Sequence, residues 1–292
     1  MDLLYESIGN LVKAALAEDV GPGDVTSLAC LEPKPLKAAI VAKSEGILSG
    51  LKPLLLVFEI VDSANVVRPL VRDGEPFIKG QTVVEIDGFN QTILTAERTA
   101  LNFLAHLSGI ATLTGRFVEK VAGAARVIDT RKTTPGWRHL EKMAVVHGGG
   151  ENHRLGLYDM VLIKDNHIAS AGSVSEAVRL TKEFLASADF RLQFGARAED
   201  IEIEVEITYQ EQLTQAIESG AHRLLLDNQT LDSLKELVSI ARKLNPAVKL
   251  EASGNVSLET VADIARTGVD YISIGALTHS APACDFSLQV VE

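Results

Sequence analysis

Arg131, Lys132, Arg154 and Lys164 gather cations in one stretch of a chain whose formal net charge is -11. Guanidinium forks grip carboxylates bidentately and an ammonium acts as a movable point charge, so this set suits a multiply anionic ligand. The competing reading is solvated loop charge paired with Glu141, Glu151, Asp159 and Asp165. Further on, Glu202, Glu204 and Glu206 share one face by the two-residue strand period, with Asp227 on a neighbouring apolar run. Carboxylates at strand ends can hold Mg²⁺ through oxygen ligands and water, particularly when a diphosphate completes the shell. Alternating Glu usually marks a wet outer face. Here the intervening Ile201, Ile203, Val205 and Ile207 would pack on helices and turn the carboxylates inward. Ser253-Gly254-Asn255 and Gly275-Ala276 are small loops of the kind that bind phosphate through backbone N–H groups, although either taken singly reads more readily as a plain tight turn. His147–Gly150, HGGG, reads as a helix stop followed by a loop.

These groups are scattered, so the elements must bring them together. Six apolar runs alternate with amphipathic stretches: Arg126–Asp129, Met160–Ile163, Ile201–Ile207, Arg223–Asp227, Val248–Glu251 and Asp270–Gly275. This rhythm predicts βα units around a parallel sheet. Each run hands over to a polar or Gly-rich stretch, which places the site at the C-terminal ends of the strands. A full eight-unit barrel takes about 250 residues. The shorter stretch available here predicts an α/β chain with an open or incomplete α/β barrel over residues 111–275. Residues 1–110 form a smaller N-terminal α+β domain, with a helix over Ser7–Glu18 and short β-rich pieces between Ala38 and Ile93. A helix ending near Gly109 and a second over Thr112–Val121 are expected to join the two.

Composition excludes several classes. With 292 residues, 46% of them hydrophobic, the chain can bury a substantial core, and no apolar run approaches the roughly 20 residues that cross a bilayer. The N-terminus lacks a basic region followed by an apolar stretch, so a cytoplasmic protein is expected. The acidic balance argues against nucleic acid or an anionic membrane surface as partner. Cys30 and Cys284 show neither a disulfide framework nor zinc-ligand spacing and read as small core residues.

Asp129–Ile168, DTRKTTPGWRHLEKMAVVHGGGENHRLGLYDMVLIKDNHI, closely resembles the quinolinate phosphoribosyltransferases. The resemblance extends through Ala17–Ser27, Thr95–Thr112, Glu204–Glu206, Leu224–Asn228, Leu250–Val256 and Val269–Ser280, nearly the whole chain in family order. It implies transfer of phosphoribosyl from phosphoribosyl pyrophosphate to quinolinate with decarboxylation, giving nicotinate mononucleotide in NAD biosynthesis. It further implies a tail, residues 276–292, that returns to the N-terminal domain, and a homodimer with shared active sites or a higher oligomer. Carried onto matching positions, the quinolinate pocket would use Arg98, Arg131, Lys132, His153, Arg154 and Lys164. Phosphoribosyl pyrophosphate would meet Lys132, Glu204, Asp227, Ser253, Gly254, Asn255, Gly275, Ala276 and His279, with Mg²⁺ on Glu204 and Asp227. Lys132, Lys164, Glu204 and Asp227 would carry the catalysis. Ser187–Asp200 looks longer and more charged than the family pattern. Competing functions are a paralogue acting on nicotinate or a related acid, an aldolase-type barrel with Lys164 or Lys132 as Schiff-base lysine, and a non-catalytic phosphate-ligand sensor.

Overall fold

The structure, a computed structural model, describes residues 3–195 and 200–291. The chain divides into two compact units. The first comprises Met1–Gly115, Lys132–Gly150 and Ala276–Glu292, and the second Arg116–Arg131 and Glu151–Gly275. The first therefore takes in residues 132–150, which the sequence reading had placed in the barrel.

In the first unit, helices α1 (Leu3–Val20) and α2 (Val25–Cys30) precede strands β1 (Pro35–Ala42) and β2 (Gly46–Ile47). Then follow α3 (Leu51–Val61), β3 (Val66–Pro69), β4 (Pro76–Phe77), β5 (Thr82–Phe89) and the long α4 (Asn90–Val121). Asp24 starts α2 by accepting from the backbone N–H groups of Thr26 and Ser27, which satisfies two donors the helix itself leaves open. One antiparallel sheet runs in the order β12-β1-β5-β3, where β12 (Phe286–Val291) is the C-terminal tail. Lys37 opposes Val291 and Ala42 opposes Phe286, so the whole of β12 is stitched to β1. Cys284 is buried as expected, but Cys30 is exposed at the end of α2.

The helix expected to stop at Gly109 does not. α4 is a single helix of 32 residues. A Cβ on Gly109 would lie 2.2 Å from the carbonyl oxygen of Pro282, so glycine serves close approach of the tail rather than termination. Gly148 is a parallel case: it caps α5 (Arg138–His147), and a Cβ there would lie 2.3 Å from the Ala111 carbonyl oxygen. HGGG does end a helix, as its composition suggests, and it also lets that end pack against α4.

In the second unit, six parallel strands follow the predicted runs: β6 (Arg126–Ile128), β7 (Val161–Ile163), β8 (Ile203–Ile207), β9 (Arg223–Asp227), β10 (Lys249–Ser253) and β11 (Tyr271–Ser273). Their order is β6-β11-β10-β9-β8-β7, each neighbour pair parallel. Neighbours are thus sequential except where β11 returns to β6, which is barrel connectivity. A parallel bridge from Ile128 to Glu151 extends the β6 edge, and the described strands leave the ring open between that edge and β7. Around the sheet stand α6 (Asp165–Ala171), α7 (Val174–Ala186), α8 (Ala188–Phe194), α9 (Gln210–Glu218), α10 (Leu231–Leu244) and α11 (Val261–Ala265). α8 occupies half of the Ser187–Asp200 segment, and residues 196–199 lie outside the described residues. The short α12 (Ala276–His279) belongs to the first unit.

Candidate active site

The second unit places Arg131 just beyond β6, Arg154 in the segment before β7, Lys164 directly after β7, and Asp227 at the last residue of β9. Arg154 donates from its guanidinium to the Met160 carbonyl oxygen at 3.2 Å. Burial holds its pKa below the ordinary arginine value, and the adjacent positive charge of Arg131 adds to the effect. The Nε of Arg131 is buried without a hydrogen-bond partner. Two guanidiniums held together in partly dehydrated surroundings, one with an unused donor, favour a bound anion that relieves both.

The acidic strand divides by depth. Glu202 lies half-exposed at the N-terminal end and pairs with Arg223 at 2.9 Å. Glu204 is fully buried, 3.1 Å from Nε2 of His153, yet neither of its oxygens has an aligned hydrogen-bond donor. Glu251 lies 3.6 Å from the same His153 nitrogen and 3.4 Å from Arg223, whose guanidinium also covers the Tyr271 ring at 4.2 Å. Burial pushes Glu204 up to about 7, and burial together with the neighbouring Glu204 charge pushes Glu251 up to about 8. Glu206, one turn of the pleat higher, is partly exposed and 3.8 Å from Nζ of Lys164. Burial raises its pKa, Lys164 opposes that rise, and Asp227 adds to it.

This corrects the expected pairing. Glu204 was expected beside Asp227 as a Mg²⁺ ligand, but it faces the interior layer of His153 and Glu251. Glu206 is the carboxylate that senses Asp227 and Lys164. A hard, strongly hydrated cation keeps several waters. The solvent-reached pair Glu206 and Asp227 fits that need, and the fully buried Glu204 does not.

His153 is also deeper than a simple ligand contact. Its backbone N–H donates to Asp129 Oδ1 at 2.8 Å, and its Nδ1 accepts from the Arg154 backbone N–H at 2.7 Å. It therefore sets the path of the chain that presents Arg154. Glu251 and Arg223 were absent from the sequence-derived site. A charged residue at one end of an otherwise apolar run, as in RLLLD and VKLE, was the available signal.

The phosphate-type loop follows β10. Ser253 is in register with Asp227 across the β9–β10 ladder, and Gly254 and Asn255 adopt left-handed φ values of 94° and 49°. Gly275 follows β11.

Four expected residues lie in the first unit. Arg98 is exposed on α4. Lys132 is exposed in the loop before α5, where its carbonyl accepts from Thr278 Oγ1 at 2.8 Å. The same loop is tied down by the Thr134 N–H bond to Glu141 at 3.1 Å, by the His106–Glu141 contact at 2.9 Å and by stacking of Trp137 on Phe103. Ala276 and His279 begin and end α12, and His279 Nδ1 lies 2.6 Å from Ser280 Oγ.

The C-terminal domain of quinolinate phosphoribosyl transferases matches residues 110–289, and their N-terminal domain matches residues 24–108. A Bacillus subtilis protein named a probable nicotinate-nucleotide pyrophosphorylase (carboxylating) is 42% identical over 276 residues, 94% of this chain and 90% of that protein. A mitochondrial quinolinate phosphoribosyltransferase (decarboxylating) of Nicotiana tabacum is 41% identical, covering 96% and 81% respectively. Among solved structures, the nicotinate-nucleotide pyrophosphorylase of Francisella tularensis superposes with a TM-score of 0.90 at 38% identity over 100% of both chains.

Proposed function

Since the chain belongs to the quinolinate phosphoribosyltransferase family, we propose that it transfers phosphoribosyl from phosphoribosyl pyrophosphate to quinolinate. Nicotinate mononucleotide, pyrophosphate and carbon dioxide are the products, as a step of NAD biosynthesis. The observation that carries this reading is the division of the strand ends between the Arg131/Arg154 guanidinium pair and the Glu206/Asp227 carboxylate pair, with Lys164 beside Glu206.

The pyridine nitrogen attacks C1 of the ribose while the bond from C1 to the pyrophosphate oxygen breaks, its electrons leaving with pyrophosphate. No protein nucleophile is needed, so positioning and electrostatics supply the rate. Arg131 and Arg154 hold the 3-carboxylate. Alkylation makes the ring an electron sink. The bond to the 2-carboxylate then breaks, carbon dioxide departs, and the electron pair left on C2 takes a proton. Lys164 and Lys132 supply positive charge toward the anionic substrates, and Ser253, Gly254, Asn255 and Gly275 cradle the 5-phosphate. Glu206 and Asp227 would hold Mg²⁺, which when bound neutralises charge on the diphosphate. We further propose that the chain acts in the cytoplasm. Among the described residues no helix is long and apolar enough to cross a membrane.

Release of labelled carbon dioxide from 2-carboxyl-labelled quinolinate, dependent on phosphoribosyl pyrophosphate and Mg²⁺, is the expected result. Pyrophosphate release with nicotinate but not quinolinate would instead assign the chain to a nicotinate-type paralogue.

A further inference from the structure

We infer that Asn228 is a positioning residue, a side-chain clip that sets the distance between the Asp227 carboxylate and the 253–255 loop and so matches the site to a phosphoribosyl group. The inference rests on the reading above for the identity of the ligand, and on the geometry of β9 and β10 for the clip itself.

Asn228 is one of three described non-glycine residues with positive φ, at 52°. Asparagine tolerates this region better than most residues, so the backbone turns sharply here at modest cost. The turn brings the Asn228 N–H to the Ser253 carbonyl oxygen at 2.9 Å, extending the β9–β10 ladder beyond its last strand pair. The side chain then reaches both ways. Its Nδ2 donates to Asp227 Oδ2 at 2.6 Å, and its Oδ1 accepts from Asn255 Nδ2 at 3.4 Å.

These partners orient the amide, because the reversed rotamer would set its oxygen against the carboxylate and its NH₂ against the Asn255 NH₂. The amide also lies against Gly254. A Cβ at that position would sit 2.2 Å from Asn228 Oδ1 and 2.7 Å from its Cγ. Glycine at 254 thus admits the clip as well as the loop's φ of 94°.

The Mg²⁺-bound diphosphate and the 5-phosphate belong to one ligand. A carboxylate and a phosphate cradle that address its two ends must therefore keep a fixed separation, or binding energy is lost in rearrangement. Asn228 bonds to both. An aspartate would keep the acceptor end but turn a carboxylate on Asp227, and a glycine would keep the turn and its backbone bond to Ser253 but lose both side-chain bonds.

The test compares wild type, Asn228→Gly and Asn228→Asp with Mg²⁺ present, reading the KM of each substrate, kcat and thermal unfolding. Asn228→Gly should raise KM for phosphoribosyl pyrophosphate about tenfold, the size expected on losing a hydrogen bond to a charged group. Asn228→Asp should raise it further. KM for quinolinate should stay within about twofold in both, since Arg131 and Arg154 are untouched. Equal increases for both substrates, or no increase for either, would overturn the clip. If Asn228→Asp fails to fold, Asn228→Gly decides alone. A wild-type chain that neither binds phosphoribosyl pyrophosphate nor turns over quinolinate would overturn the functional reading, a result distinct from a loss of selectivity between the two substrates.

Discussion

Glu251 and Glu204 place two carboxylates in the interior of the second unit, with His153 and Arg223 among the groups that offset them. Burial together with the neighbouring Glu204 charge raises Glu251 from its ordinary 4.5 to about 8. A carboxyl whose folded pKa lies above its unfolded value binds protons more tightly in the folded state. The stability it contributes is complete below about pH 4.5 and is lost as pH rises through about 8. Glu251→Gln removes that titration. Its stability, followed by urea unfolding, should therefore depend less on pH between 5 and 8 than that of wild type, whatever constant offset the lost contacts impose. Parallel profiles would mean that Glu251 does not titrate in this window. Glu206 and Asp227 give a second prediction at this scale. Glu206→Ala and Asp227→Ala should weaken phosphoribosyl pyrophosphate and Mg²⁺ far more than quinolinate in calorimetric titrations. Equal losses for all ligands would make these carboxylates organisers of the whole sheet instead.

α4 and the C-terminal tail carry the prediction at the scale of elements. Gly109 lies inside α4, where alanine is ordinarily the better helix former by about 1 kcal/mol. Were Gly109 an interior helix position with open space beside it, Gly109→Ala would stabilise the protein by about that amount. The structure requires the opposite, because the new Cβ would press on the backbone of Pro282 and Ala283, ahead of β12. Backbone on both sides leaves no flexible side chain to yield, so a loss of about 1–3 kcal/mol is expected from overpacking, offset in part by the gain in helix propensity. Chemical denaturation settles the sign. The strand β12 is paired with β1 over its whole length, so the same substitution should loosen hydrogen-exchange protection in Ser287–Val291.

At the scale of the whole molecule, we propose a homodimer in which Arg98 serves the partner's site. Arg98 is exposed on α4, in the first unit, whereas Arg131, Arg154 and Lys164 belong to the second. In a two-fold dimer such an arm is exchanged reciprocally, so each site needs both chains. Arg98→Ala and Lys164→Ala subunits should each be inactive alone. Random reassembly of equal amounts makes about half the dimers mixed, and each mixed dimer holds one intact site, so activity should return to about one quarter of wild type. Arg98 acting within its own subunit, or merely pairing with a nearby carboxylate, predicts no recovery on mixing.

The six strands of the second unit were legible in the chain because each is a short apolar run ending in polar or glycine-rich residues, a pattern local enough to survive without knowledge of neighbours. Residue types alone pointed to cations for an anion and to carboxylates on one face of β8. Depth was not legible. Glu202, Glu204 and Glu206 are equivalent by the two-residue period. Only the register of β8 against β7 and β9, and the placement of His153 and Glu251, make one exposed, one buried and one a neighbour of Asp227. Gly109 and Gly148 likewise read as helix punctuation, because a lone glycine signals either conformational freedom or close approach. Which applies is decided by the backbone atoms of Pro282 and Ala111 that fill the space a side chain would need, and those atoms come from elements distant in sequence.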